Sequence, residues 1–215
     1  MLISESMPEN TETKTGFYQS LEKVAPDKTI FTTNLSTTLP SDYAAFTGKP
    51  EKFLALHFAN GIWDANIAEV MGHTGTSPEI STRVVKFASE ISWVPIPICK
   101  EQNGYILNTL PPPTLNAAGD LLFNGVSDFE SIDNTWMISM GAKIGPFGFM
   151  DLIGMQTMYN ISLPWGNRPG DQSMPDRAAT IEVEYIDKGK MGVSSGEGFY
   201  KNPNPSFEDP DFLKQ

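Results

Sequence analysis

His57, in Leu56-His57-Phe58-Ala59-Asn60, and Glu69, in Ala68-Glu69-Val70-Met71, stand twelve residues apart, each in a short apolar run. Two such runs read as strands ending in loops, and neighbouring strand ends would let the carboxylate hold the imidazole. An imidazole with a reference pKa of about 6.5, steadied by an acid, is a general base for a hydroxyl near neutral pH. Ser36, in the polar loop Asn34-Leu35-Ser36-Thr37-Thr38, and Asn108, in Gly104-Tyr105-Ile106-Leu107-Asn108, add a hydroxyl and an amide. All four fit a crevice beyond strand ends where two layers meet, a usual place for ligands. The plainer reading stands beside this one. A single histidine in an apolar strand is often a satisfied core residue, and Ser and Asn are ordinary turn and cap residues.

Two rival chemistries use the same residues. A Ser36-His57-Glu69 hydrolase triad lacks the glycines of the strained turn that exposes a hydrolase serine. A metal site from His57, His73 and Glu69 lacks any short two-ligand spacing, so no metal is expected.

The elements that must position these groups follow from periodicity. Leu2-Ile3-Ser4-Glu5-Ser6 reads as the end of a buried strand, as if the chain began inside a domain. Phe17, Leu21 and Val24 recur at helical spacing until Pro26, and a β-branched strand covers Thr29 to Thr33. Ser41 to Gly48 makes a short helix, strands cover Phe53–Phe58 and Ile67–Met71, and Ser77-Pro78 opens an amphipathic helix with Ile80, Val84, Phe87, Ala88 and Ile91 on one face. Val94 to Cys99 is the last strand, with Cys99 expected to be a buried, unreactive thiol.

Alternating strands and helices indicate a Rossmann-like α/β layer. After Gln102-Asn103 the strand period disappears, so the expected domains are 1–102 and 103–215, the second all-α. Its helices are Tyr105–Leu110, Leu115–Phe123, Ser127–Met140 with a Ser127/Glu130 capping box, Pro146–Ile161 and Arg177–Asp187. Residues 163–175 read as a loop and the tail from Lys201 as a surface extension.

Composition narrows the classes. The 215 residues are 40% hydrophobic, ordinary for a globular chain, and a net charge of −11 without clustered Lys or Arg argues against nucleic acid. The sequence has no apolar run of membrane-spanning length and no charged-then-apolar leader, which sets a cytoplasmic location as the expectation and excludes a membrane partner.

The ordered set of segments resembles the 3-hydroxyacyl-CoA dehydrogenase family, above all its short bacterial 3-hydroxybutyryl-CoA dehydrogenases. It includes Pro8-Glu9-Asn10, Thr29-Ile30-Phe31-Thr32-Thr33-Asn34-Leu35-Ser36, Leu56-His57-Phe58-Ala59-Asn60, Gly104-Tyr105-Ile106-Leu107-Asn108, Gly145-Pro146-Phe147-Gly148, Asp151-Leu152-Ile153-Gly154 and Gly196-Glu197-Gly198-Phe199-Tyr200. The resemblance implies NAD as cofactor, an acyl-CoA substrate and a homodimer formed through the helical half. It implies that His57 takes the proton of a 3-hydroxyl, that Glu69 orients the ring, and that Ser36 and Asn108 bond substrate oxygens. Asn60 becomes a ligand contact, and Glu9, Lys14, Ser36 and Asn60 become contacts to the dinucleotide.

Two departures from the family pattern set further expectations. The G-x-G-x-x-G turn is absent from the sequence, so the dinucleotide layer is read as incomplete, lacking its N-terminal βαβ unit and impaired on its own. Pro111-Pro112-Pro113 falls where the family has a continuous helix, which should be broken there. A non-catalytic dimer scaffold derived from the same family is the alternative function.

Overall fold

Ile30–Thr33 and Phe53–Phe58 are runs of β-branched, aromatic and aliphatic residues buried on both faces, the pattern of strands inside a covered sheet. In the computed structural model, which describes residues 1–58, 66–165 and 178–214, they form the middle of a five-stranded sheet. The strands are β1 (Leu2–Glu5), β2 (Ile30–Thr33), β3 (Phe53–Phe58), β4 (Ile67–Met71) and β5 (Val94–Ile98), paired in that order. β1, β2 and β3 are parallel, β4 runs antiparallel to β3, and β5 is parallel to β4.

Two helices cover the sheet. Helix α1 (Thr11–Glu22) is capped by Asn10, whose side chain accepts from the Thr13 N–H, and packs with Tyr18 on Phe31, Phe53, Ala55 and Met71. Helix α2 (Pro78–Glu90) buries Ile80, Val84 and Ala88 against Ile30, Leu54, Leu56, Ala68 and Val70. The two-residue period of a strand sends odd and even positions to opposite faces. His57 and Glu69 therefore share the α1 face with Phe53, Ala55 and Met71. Each wholly buried Leu or Phe contributes about 1.5–3 kcal/mol to holding this arrangement.

The chain divides into two compact units, Met1–Pro111 and Pro112–Gln215. The second is largely helical, with α3 (Pro111–Phe123), α4 (Phe129–Met140), α5 (Pro146–Ile153) and α6 (Met155–Trp165). Leu115, Ile132, Phe147, Met150, Met155, Met158 and Tyr200 form its core. An α/β layer followed by a helical unit is the expected fold class.

Several expectations are corrected. An N-terminal βαβ unit is present: β1, α1 and β2 form one, with Leu2 to Glu5 paired in parallel to Ile30 to Thr33. The three prolines do not break a helix; they open α3, where the first turn needs no N–H donors. Residues 105–110 make hydrogen-bonded turns rather than a helix, closed by the Asn108 N–H on the Gly104 carbonyl at 2.9 Å. Asp128, not Ser127, caps α4 by accepting from the Ser131 N–H.

The expected helix over 146–161 is two, divided at Gly154 with φ +92°. Helix α6 continues to Trp165, and the rest of the expected loop lies outside the described residues. The last helix is α-helical only to Ile181 and widens to a π-helix over Glu182–Ile186. The tail is not a loose extension, since Phe212 is buried and its carbonyl accepts from Asn134 at 2.8 Å. Cys99 is exposed because it follows β5, an edge strand whose Pro95 and Pro97 offer no N–H to a further strand.

Candidate active site

His57 and Glu69 face each other because β3 and β4 are antiparallel with these two residues directly opposite in the register. Side chains at opposed positions on one face are within reach of each other. His57 Nδ1 lies 2.8 Å from Glu69 Oε2, and both residues are buried, at 6% and 1% exposure. The other carboxylate oxygen, Oε1, accepts the N–H groups of Ile106 at 2.9 Å and Leu107 at 3.0 Å. An acceptor-only carboxylate fixes the tautomer: Nδ1 carries the hydrogen and Nε2 keeps the lone pair. Among the described residues no group bonds Nε2.

The N–H groups of Ile106 and Leu107 come from a tight turn. Gly104 has φ +76° and Tyr105 φ +55°, a left-handed conformation costing a non-glycine residue about 1–2 kcal/mol. The Tyr105 ring sits 4.9 Å from the His57 ring at an angle of 42°. Its hydroxyl is buried without a hydrogen-bond partner among the described residues. Burial pushes that phenol well above its ordinary ionisation range, and the charges of Glu9, Glu69 and Glu101 push it the same way.

From this turn the network continues to the end of β2. Asn108 Nδ2 donates to the Ser36 carbonyl at 3.2 Å, and Ser36 and Thr37 donate their N–H groups to Glu9, as does the Thr37 hydroxyl. Burial raises the Glu9 carboxyl, but these donors outweigh it and hold the group below its ordinary value. Asn34 ties the end of β2 to the end of β3 by accepting the Phe58 N–H at 2.9 Å. His57, Glu69, Asn108, Ser36 and Glu9 are thus brought together within the first unit.

The other candidates fall elsewhere. Lys14 is fully buried, its Nζ at 2.7 and 2.8 Å from the two oxygens of Glu5, which also accept from Tyr18 and Thr33. Its ammonium is committed to joining α1 to β1. Asn60 lies outside the described residues. His73 is bound into a turn by the Pro50 carbonyl and the Gly75 N–H. The turn also places the Thr76 hydroxyl on the Phe53 carbonyl. Phe53 is at the opposite end of β3 from His57, roughly 13 Å along the strand. No cluster of three metal-ligating side chains occurs among the described residues. None of the hydrogen bonds among them joins Ser36 to His57, as a hydrolase triad would require.

Tyr105 and Asn34 were not singled out by sequence reasoning. The only signal for Tyr105 was the glycine before it, and for Asn34 its place after a β-branched strand.

Residues 1–102 match the model of the 3-hydroxyacyl-CoA dehydrogenase NAD binding domain, so the βαβ unit belongs to that domain, and residues 104–202 match the family's C-terminal domain. A protein of Bacillus subtilis named a probable 3-hydroxybutyryl-CoA dehydrogenase is 27% identical over 93% of this chain and 68% of its own length. Human mitochondrial hydroxyacyl-coenzyme A dehydrogenase is 29% identical over 93% of this chain and 63% of its own. A solved diketoreductase, described as acting on dicarbonyl compounds, superposes with a TM-score of 0.85 at 50% identity, over 93% of this chain and 69% of its own. The chain thus spans about two thirds of these relatives' lengths. With both halves matched in order, the chain belongs to the 3-hydroxyacyl-CoA dehydrogenase family.

Proposed function

We propose that this chain works in the NAD-dependent interconversion of a 3-hydroxyacyl-CoA and its 3-oxo form, with His57 as the general base. The observation that carries the reading is the Nδ1 to Oε2 contact of 2.8 Å backed by two N–H groups on Oε1. The 3-hydroxyl gives its proton to His57 Nε2 as the carbonyl forms and hydride leaves the same carbon. Glu69 stabilises the imidazolium, and Ser36 and Asn108 hydrogen-bond the substrate oxygens.

The residues fit a dinucleotide. The parallel strands β1 to β3 present their C-terminal ends on one edge, the usual side for such ligands. That edge carries the carboxylate of Glu9, which accepts the Ser36 N–H, together with the Ser36 side chain beside it, groups suited to ribose and amide. NAD, when bound, supplies the hydride acceptor. Glu9, Ser36 and Asn60 would contact it, while Lys14 contributes by fixing α1 to β1. The βαβ unit is present, while the sequence carries no G-x-G-x-x-G turn, so activity of the full chain is the direct test of competence. The same reading includes a change of role at 102/103, a cytoplasmic location and a homodimer through the helical unit. The exposed Ile138, Met140 and Leu152 support the homodimer.

Oxidation of 3-hydroxybutyryl-CoA by the full chain, followed as NADH formation, tests the proposal. His57→Gln is expected to lower kcat/KM by about 100-fold or more with folding intact; a near-normal rate removes the base. A second reading is favoured by the diketoreductase at 50% identity: the substrate is a dicarbonyl compound carrying no CoA. The same dyad serves both. Comparing kcat/KM for 3-oxoacyl-CoA and a free dicarbonyl compound with NADH decides between them.

A further inference from the structure

Tyr105 packs on one member of the dyad and directly precedes the two residues that hold the other, and the proposed reaction has no use for its hydroxyl. Its ring lies 4.9 Å from the His57 imidazole, and its left-handed backbone, φ +55°, immediately precedes the two N–H groups that hold Glu69 Oε1. Among the described residues only Ser92 and Asn204 share a positive φ outside glycine, and neither is an aromatic residue. A bulky residue keeps such a conformation only where its surroundings over-determine it. The side chain is 1% exposed, packed with Tyr18, Phe31, Leu35, Tyr43 and Met71.

We propose that Tyr105 is the positioning residue of the His57–Glu69 pair: its buried ring fixes the imidazole plane while its backbone turn delivers two consecutive N–H groups to the carboxylate. The proposal rests on the catalytic reading for its consequence, but not for its geometry. The hydroxyl, without a partner among the described residues, plays no part, since burial keeps the phenol neutral. The ring and the φ angle are separable by substitution. Tyr105→Phe keeps both, Tyr105→Gly keeps the left-handed turn without the ring, and Tyr105→Ala loses the ring and disfavours the turn.

The test is ¹⁵N NMR of the His57 ring in the full chain and these three variants, with kcat and KM measured alongside. Tyr105→Phe is expected to retain the wild-type Nδ1–H tautomer and rate. Tyr105→Gly should give a mixed-tautomer signal and a kcat about 10-fold lower with KM changed less than 2-fold, the effect expected of misorientation. Tyr105→Ala should go further, and Tyr105→Gly keeps the test open if Tyr105→Ala does not fold. A folded Tyr105→Gly with an unaltered His57 spectrum, or a Tyr105→Phe that loses the tautomer, overturns the proposal. The spectrum is read without turnover. A chain that shows the spectral changes but oxidises no 3-hydroxy substrate therefore leaves the positioning role standing and removes the catalytic reading.

Discussion

Both units bury carboxylates, and they stabilise them in opposite ways. In the first, Glu5 is paired with the fully buried Lys14 and Glu69 with His57, so each acid has a cationic or protonatable partner. In the second, Asp133 accepts from the N–H groups of Phe147 and Gly148 and the hydroxyl of Tyr200, and Asp151 accepts from the N–H groups of Phe199 and Tyr200. Every one of those donors is neutral. The difference separates two uses of a buried acid. The neutral cradles join segments distant in sequence, α4 to α5 and α5 to the chain at 199–200, and serve architecture. The Lys14–Glu5 ion pair sits where β1 meets α1, and the His57–Glu69 pair, proposed to handle a proton, where β3 meets β4.

The contrast breaks most severely at Lys14. Replacing one partner of a buried ion pair leaves an uncompensated charge and typically costs about 3–5 kcal/mol. Lys14→Met keeps the length of the side chain and should destabilise the first unit by that amount, read as lost amide-exchange protection in β1 and β2. A loss below about 1 kcal/mol would mean that Tyr18, Thr33 and the Met7 N–H alone satisfy Glu5.

Asp133→Asn should cost less, about 1–3 kcal/mol, because one oxygen becomes an amide group that cannot accept. Two of the three donors converge on Oδ2, so whichever way the amide turns, at least one donor loses its acceptor. Space is equally constrained, for a Cβ at Gly145 would lie 2.2 Å from Asp133 Cγ. Proton exchange at Phe147 and Gly148 measures the effect locally. A neutral result would show that removing the desolvated charge offsets the lost acceptor.

How much of this was legible differs between the two regions for physical reasons. Periodicity revealed strands at 53–58 and 67–71 and the helix at 78, because alternation and helical spacing are local properties. It also placed His57 near Glu69, although as neighbouring strand ends rather than as opposed residues of an antiparallel pair. The partner of Lys14 was hidden, since Glu5 lies on a strand that sequence alone left without a neighbour. Pairing is a tertiary fact. The roles of Asp133 and Asp151 were equally hidden: their donors lie 14 to 67 residues away and most are main-chain N–H groups, which leave no mark in the sequence. Tyr105 escaped notice because a left-handed backbone is ordinarily signalled by glycine or asparagine, not tyrosine.

The smallest expected effect sharpens the contrast furthest, because its sign differs between the units. Burial raises the Glu5 carboxyl, but the hydrogen bonds from Lys14, Thr33, Tyr18 and the Met7 N–H together hold it below its ordinary value. Its contribution to stability is therefore present above the unfolded pKa of about 4.3 and is lost as pH falls through the lower folded value. Burial raises Asp133 above its ordinary value despite its three donors, and raises Asp151 likewise, with the charge of Asp133 adding to the shift. Their contribution is present below the unfolded value of about 3.9 and is lost as pH rises through the higher folded one. Acidification from neutral should first strengthen the cradles of the second unit and only later weaken the pair in the first. Amide exchange at Thr33 and at Tyr200, corrected for intrinsic rate and followed from pH 7 to about pH 3, would show protection at Tyr200 rising before protection at Thr33 falls. If both fell together, the two acids of the second unit would be held as firmly ionised by neutral donors as Glu5 is by a cation, and charge pairing would lose its special place in the first.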